Sequence, residues 1–242
     1  MPKSLSEEHL MTTHANDRAQ LSRRKFLGYA GATTGLMAAL SACSKEQIQS
    51  TPQAGTVTAI GVDLGSGDIG ILNYAYALEQ LEAAFYTRVV MAPYANINSF
   101  ELTALTDIRD HEIAHREYFK NVLTSLNAAI PALEFNFNSI TFTSRDSVLA
   151  TAQAFEDLGV SAYNGAGRLI TAPAYLLQAG KIVSVEARHA AFIRDLLGKN
   201  RFADDTIIDA NGLDLTRKPS EVLPMAANYI TTPIDASHLP TY

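Results

Sequence analysis

The sequence predicts an all-α fold of four helices, arranged as two antiparallel pairs with one long crossover between the pairs and an irregular C-terminal tail. Three observations lead there. Apolar residues recur at alternating intervals of three and four through long stretches of the chain, the mark of one buried helical face. Two of these stretches carry Glu-x-x-His at the centre of the apolar stripe, Glu112 with His115 and Glu186 with His189. Each is preceded by a stretch with an inward Glu and a Tyr seven residues on, Glu79 with Tyr86 and Glu156 with Tyr163. The chain reads as a helix pair repeated once.

Composition narrows the chemistry before any element is placed. The 242 residues are 47% hydrophobic and 18% charged, with one Cys and six His. A lone Cys makes no internal disulfide and no Cys-rich zinc or iron-sulfur site, so metal chemistry would have to use Asp, Glu and His. Nineteen Lys and Arg against 25 Asp and Glu give a net charge of −6, without the basic stripe of a nucleic-acid-binding protein.

The first element, residues 1–42, reads as an export signal. Ser22-Arg23-Arg24-Lys25-Phe26-Leu27 has the twin-arginine pattern, and the run that follows, Gly28 to Ala42, is moderately apolar and rich in Gly, Ala and Thr. That run is too short and too rich in glycine for a permanent membrane helix. It ends in Leu40-Ser41-Ala42-Cys43, a lipobox in which Cys43 would be lipidated and become the mature N-terminus. The expected location is therefore the periplasm or cell envelope, reached by the twin-arginine pathway, with the protein tethered to a membrane through Cys43.

Residues 43–66, with Pro52, Gly55, Gly61 and Gly65, read as a flexible linker. Gly65-Ser66-Gly67-Asp68-Ile69-Gly70 matches a dinucleotide-binding glycine pattern, but no second strand with an acidic end follows at the required distance. A turn and helix start, with Asp68 near the N-terminus, suffices.

The bundle is expected over residues 67–198. Its first helix runs from Asp68 to about Val90 and places Leu72, Ala75, Glu79, Glu82 and Tyr86 on one face. After a break at Pro93 to Asn98, Ser99 can cap a second helix reaching about Asn127, with the stripe Leu105, Ile108, Glu112, His115, Phe119, Val122 and Leu126. Ala128 to Thr143 is long enough to cross the length of a bundle. A third helix from Ser144 to about Ile170 aligns Leu149, Ala152, Glu156, Tyr163 and Ile170, and a fourth carries Tyr175, Ala179, Ile182, Glu186, His189, Ile193 and Leu196. Within each pair the turn lies midway between the acidic residues, so at about 1.5 Å rise per residue both partners reach the same height. Residues 199–242 form the tail.

Four glutamates in one bundle core need compensation, because an unpaired buried carboxylate costs several kcal/mol. Two divalent cations supply it, and a Glu and a His three residues apart share a helix face and can reach one metal or an adjacent pair. A carboxylate and imidazole donor set suits iron or manganese better than copper or structural zinc. Glu82 also faces inward and competes with Glu79 as a ligand; the Tyr at +7 favours Glu79. His111 lies about 100° around its helix from Glu112, which points to a supporting or surface role. His238 sits in a Pro-containing tail and reads as solvated. Tyr86 and Tyr163 are core aromatics with a bonded hydroxyl or partners of the centre.

The stretches LEQLEAAFY, FEDLGVSAYNGAG and SVEARHAAF resemble the ferritin-like diiron-carboxylate superfamily, within it the exported or desiccation-associated branch, over about Asp68 to Gly198 and again at the tail pattern PSEVL from Pro219 to Leu223. The resemblance implies a ferritin-like four-helix bundle with two iron or manganese ions. By motif, Glu112 and Glu186 would bridge, Glu79 with His115 would complete one metal, and Glu156 with His189 the other. It also implies metal oxidation or the consumption of oxygen or peroxide in stress protection, against the alternative of a non-catalytic envelope protein with a structural or vestigial metal site. A homodimer is compatible with this reading. A 24-subunit cage is not expected, since a shell requires neither an anchor nor the long tail.

Overall fold

A computed structural model describes residues 61–198 and 200–242. Arg23, Arg24, Cys43 and the export and anchoring pattern they form lie outside the described residues. Four long helices make the body: α1 (Gly67–Met91), α2 (Ser99–Ser125), α3 (Arg145–Gly167) and α4 (Pro173–Leu197). α1 packs on α2, α3 on α4, and the two pairs meet through α1 and α3. The tail adds a short helix, α5 (Pro219–Ala226), which packs on α3. The fold is all-α apart from strands β1 (Val62–Asp63) and β2 (Ile234–Asp235). Among the described residues, no helix is long and apolar enough to cross a membrane.

Helix boundaries follow local chemistry. Asn98, rather than Ser99, is the N-cap of α2, its side chain accepting from the Glu101 N–H. α2 stops at Ser125, short of Asn127, which adopts a left-handed conformation at φ 54°. Ser144 caps α3 by accepting from the Ser147 N–H, and Pro173 opens α4. α3 ends at Gly167 rather than near Ile170. The buried stripe of α2 runs Leu105, Ile108, Glu112, His115, Phe119 and then Leu123, not Val122. A straight helix of 3.6 residues per turn drifts against a strict seven-residue repeat, so the inward position moves on by one residue.

α1 is buried almost all round, from Gly70 to Tyr86 with little interruption, whereas α2 buries a single stripe. The crossover accounts for the difference. Asn73 and Gln80, two turns apart on the back of α1, hold it in extended form: Asn73 Nδ2 donates to Ala128 O at 2.9 Å and Oδ1 accepts from Ile130 N, while Gln80 Oε1 accepts from Leu133 N. Phe85, Phe137, Phe142, Phe155 and Tyr229 form a chain of edge-to-face contacts that joins helices, crossover and tail in one core.

The tail is likewise bound into the fold. Arg194, 2% exposed, makes a two-pronged ion pair with Asp157 and reaches Asp204, Thr206 and the Arg201 carbonyl. Gly165 lets Arg217 pass so closely that a Cβ there would lie 1.7 Å from the Arg217 carbonyl oxygen. Residues 61–66 depart from the expected linker. Val62 and Leu64 are buried, their N–H groups donate to Pro233 and Asp235 carbonyls, and β1 pairs in parallel with β2. The glycine pattern after β1 is thus a turn into α1. There the Asp68 carboxylate accepts from the N–H groups of Thr171 and Ala172, tying the start of α1 to that of α4.

Candidate metal centre

Each long helix delivers its acidic residue to one layer at mid-height: Glu79 from α1, Glu112 and His115 from α2, Glu156 from α3, Glu186 and His189 from α4. All four glutamates are 0% exposed, and the two histidines are 6% and 5% exposed. His115 Nδ1 lies 2.8 Å from Glu186 Oε1, 3.5 Å from Glu79 Oε2 and 3.7 Å from Glu112 Oε2. His189 Nδ1 repeats the pattern at 2.8 Å from Glu112 Oε1, 3.5 Å from Glu156 Oε2 and 3.6 Å from Glu186 Oε2. Each histidine thus makes its shortest approach to the glutamate of the other Glu-x-x-His pair.

Despite these approaches, eight atoms of the cluster lack an aligned hydrogen bond: one oxygen each of Glu79 and Glu156, both oxygens of Glu112 and Glu186, and Nδ1 of both histidines. Buried polar atoms are normally satisfied, so eight together in one layer need a common partner. They fall into two groups, Glu79, Glu112, His115, Glu186 and Glu112, Glu156, Glu186, His189, each offering ligand atoms within 4.8 Å of one another. Ligands held at roughly 2.0–2.2 Å from one cation lie up to about 4.4 Å apart, so each group fits one ion with slight contraction. Glu112 and Glu186 belong to both groups. Carboxylate oxygens and imidazole nitrogens are both ordinary ligands of divalent metal ions.

Burial and the neighbouring charges act in opposite senses on the titration of the cluster. Burial drives Glu79 and Glu156 up to about 8, against the lowering pull of His115 and His189 respectively. Burial would lower the two histidines, but the carboxylates around them, Glu79 foremost for His115 and Glu156 for His189, win and raise both well above the usual imidazole value. Burial likewise opposes the ionised form of Glu112, yet His115 and His189 hold it well below the usual carboxylate range.

The two tyrosines bond across the pseudo-twofold axis. Tyr86 donates to Glu156 Oε1 at 2.5 Å and Tyr163 donates to Glu79 Oε1, so each hydroxyl serves the glutamate of the other helix pair. The remaining oxygen of each glutamate is thereby left for the centre. Burial, with the adjacent carboxylate, raises both phenols well above their ordinary value and keeps them as donors.

Glu82 is also buried, 4% exposed, but belongs to neither ligand group. It points toward α3, where Gly159 leaves room: a Cβ at that position would stand 3.1 Å from Glu82 Oε1. Burial, reinforced by the surrounding glutamates with Glu112 first, raises it far above the normal carboxylate value and favours the neutral acid. His111, set aside from ligation by its angle on α2, crosses to α4 and meets His189: its Nδ1 is 2.9 Å from His189 Nε2. Nothing along the sequence encodes that contact, because it depends on how α2 and α4 approach. His238 is exposed as expected, yet its Nδ1 lies 3.2 Å from Asp63 Oδ2.

A family model described as "Ferritin-like domain" matches residues 67–199, just over half of the chain and the same span as the four long helices. No curated protein matches the chain.

Proposed function

Because the chain belongs to the ferritin-like domain family, we propose that its buried layer holds a dinuclear iron or manganese centre, and that the protein acts in metal oxidation or in consuming oxygen or peroxide at the cell envelope. The observation that carries this reading is the pair of overlapping four-residue groups that share Glu112 and Glu186 and contain eight unpartnered donor atoms. Glu79 and His115 would complete one metal position, Glu156 and His189 the other. Two divalent cations would balance four carboxylates, so the filled core carries no net charge. A bound pair of iron or manganese ions supplies reversible one-electron chemistry toward oxygen species.

The chain's own residues would serve that chemistry by geometry and proton placement. Tyr163 and Tyr86 each hold one oxygen of Glu79 and Glu156, which limits those carboxylates to their other oxygen. All four glutamates are fully buried, so bulk water is kept from the layer. Export by the Arg23-Arg24 signal and lipid attachment at Cys43 would tether this acidic domain to a membrane surface. The desiccation-associated branch, suggested by LEQLEAAFY and SVEARHAAF, fits a protective role in the envelope.

Elemental analysis of the exported protein tests the centre first. About two iron or manganese ions per chain are expected, and Glu112→Ala, which removes a ligand from both groups, should lose them; fewer than about one ion in the unaltered protein refutes the reading. One observation favours a second reading: the glutamates are sealed from solvent, as befits a structural centre. Measurable oxygen or peroxide turnover by the loaded protein, lost in Glu112→Ala, supports the first; metal-dependent melting without turnover supports the second.

A further inference from the structure

We propose that His111 is a positioning residue that makes the two metal positions unequal, tightening the one built from Glu156 and His189. The inference rests on the dinuclear reading above. His189 turns Nδ1 toward Glu112, Glu156 and Glu186 and presents Nε2 to His111 Nδ1 at 2.9 Å. The two ring planes lie within 9° of each other with centroids 5.2 Å apart, as for imidazoles meeting edge to edge through that nitrogen pair rather than face to face.

The tautomers follow from this geometry. A ring nitrogen that ligates a cation carries no proton, so a metal-bound His189 keeps its proton on Nε2 and donates it to His111 Nδ1. His111 then carries its own proton on Nε2. Such an outer hydrogen bond fixes the rotation of the ligand ring and raises its basicity, and its loss typically costs about 10–100-fold in metal affinity.

Among the described residues, no such partner stands against the outer nitrogen of His115. His111 directly precedes Glu112; the residue that directly precedes Glu186 is Val185, which has no acceptor in its side chain. The two positions match in ligand type, one Glu and one His each around two shared glutamates, and differ in this support. His111 also ties α2 to α4.

The test uses Co²⁺ as the probe ion with the purified full-length chain, followed by equilibrium dialysis and by the visible Co²⁺ bands. The unaltered protein should bind two ions in separable steps. His111→Ala should weaken one step by about 10–100-fold and leave the other in place, while His111→Asn, whose amide oxygen can accept from His189 Nε2, should restore most of the loss. In a His189→Ala background His111→Ala should have no further effect, since the coupled partner is gone. Unchanged metal-free melting separates lost support from misfolding, and His111→Asn serves should the alanine variant not fold. Equal weakening of both steps, no weakening, or an undiminished effect in the His189→Ala background would overturn the proposal while leaving the dinuclear centre standing. Binding of fewer than about one Co²⁺ by the unaltered protein would overturn both.

Discussion

Loading the centre should expel protons, and their number can be worked from the structure. In the metal-free cluster four groups hold a proton near pH 6 to 7: His115 and His189, raised by the carboxylates that surround them, and Glu79 and Glu156, driven up to about 8 by burial. Two divalent cations carry the same charge as four protons. The exchange therefore leaves the charge of a sealed core unchanged, which matters because an uncompensated buried charge costs several kcal/mol. About two protons should leave per cation, so affinity for each cation should rise about 100-fold per pH unit, and this slope should flatten above about pH 8 as Glu79 and Glu156 ionise unaided. Calorimetric titration with Mn²⁺ in buffers of different ionisation enthalpy, repeated between pH 6 and pH 9, measures both quantities. Release of fewer than about one proton per cation, or an affinity that stays flat between pH 6 and 8, would refute the reasoning.

Three further outcomes are expected. The metal-free protein should melt at progressively lower temperature as pH rises from about 5 to 8: Glu79, Glu156, His115 and His189 all titrate higher in the folded chain than in the unfolded one, so the stability they lend is fully present below their ordinary values and is lost as pH climbs through the raised ones. Saturating Mn²⁺ should reverse that trend in the same melting experiment. Tyr163→Phe leaves Glu79 Oε1 buried without its donor and should cost about 1–3 kcal/mol in denaturant unfolding; Tyr86→Phe should act alike through Glu156. Arg194→Met removes the buried cation that joins Asp157 and Asp204 and should cost about 3–5 kcal/mol, with faster proteolysis between residues 200 and 217 as the accompanying sign.

Much of the bundle was legible because burial imposes a period on the chain. The interval of three between Glu112 and His115 puts both on one helix face whatever that helix packs against, and the surrounding apolar residues mark the face as internal. The repeat at Glu186 and His189, and the matched turns, bring the acidic residues to one height. Other features carried no such mark. Asn73 and Gln80 belong to no apolar stripe and to no set of candidate ligands, yet they bind the crossover to the back of α1. Residues 61–66 read as linker because the partner of their short strand lies near the end of the chain, where no local pattern announces it. Arg194 belongs to none of the sequence patterns, and it is the buried anchor of the tail.

Chain order alone sets which residues share a helix face and at what height along each helix they stand, since 3.6 residues per turn and 1.5 Å per residue apply to any helix. It therefore determined that six ligand-type side chains could meet. Tertiary structure alone decided who serves whom: Tyr86 bonds Glu156 and not the Glu79 seven residues before it, Tyr163 bonds Glu79, and His111 on α2 reaches His189 on α4. A hydrogen bond forms or fails over a few tenths of an ångström, and the rotation and spacing of neighbouring helices that set that distance come from the packing of the whole core, to which no local period refers.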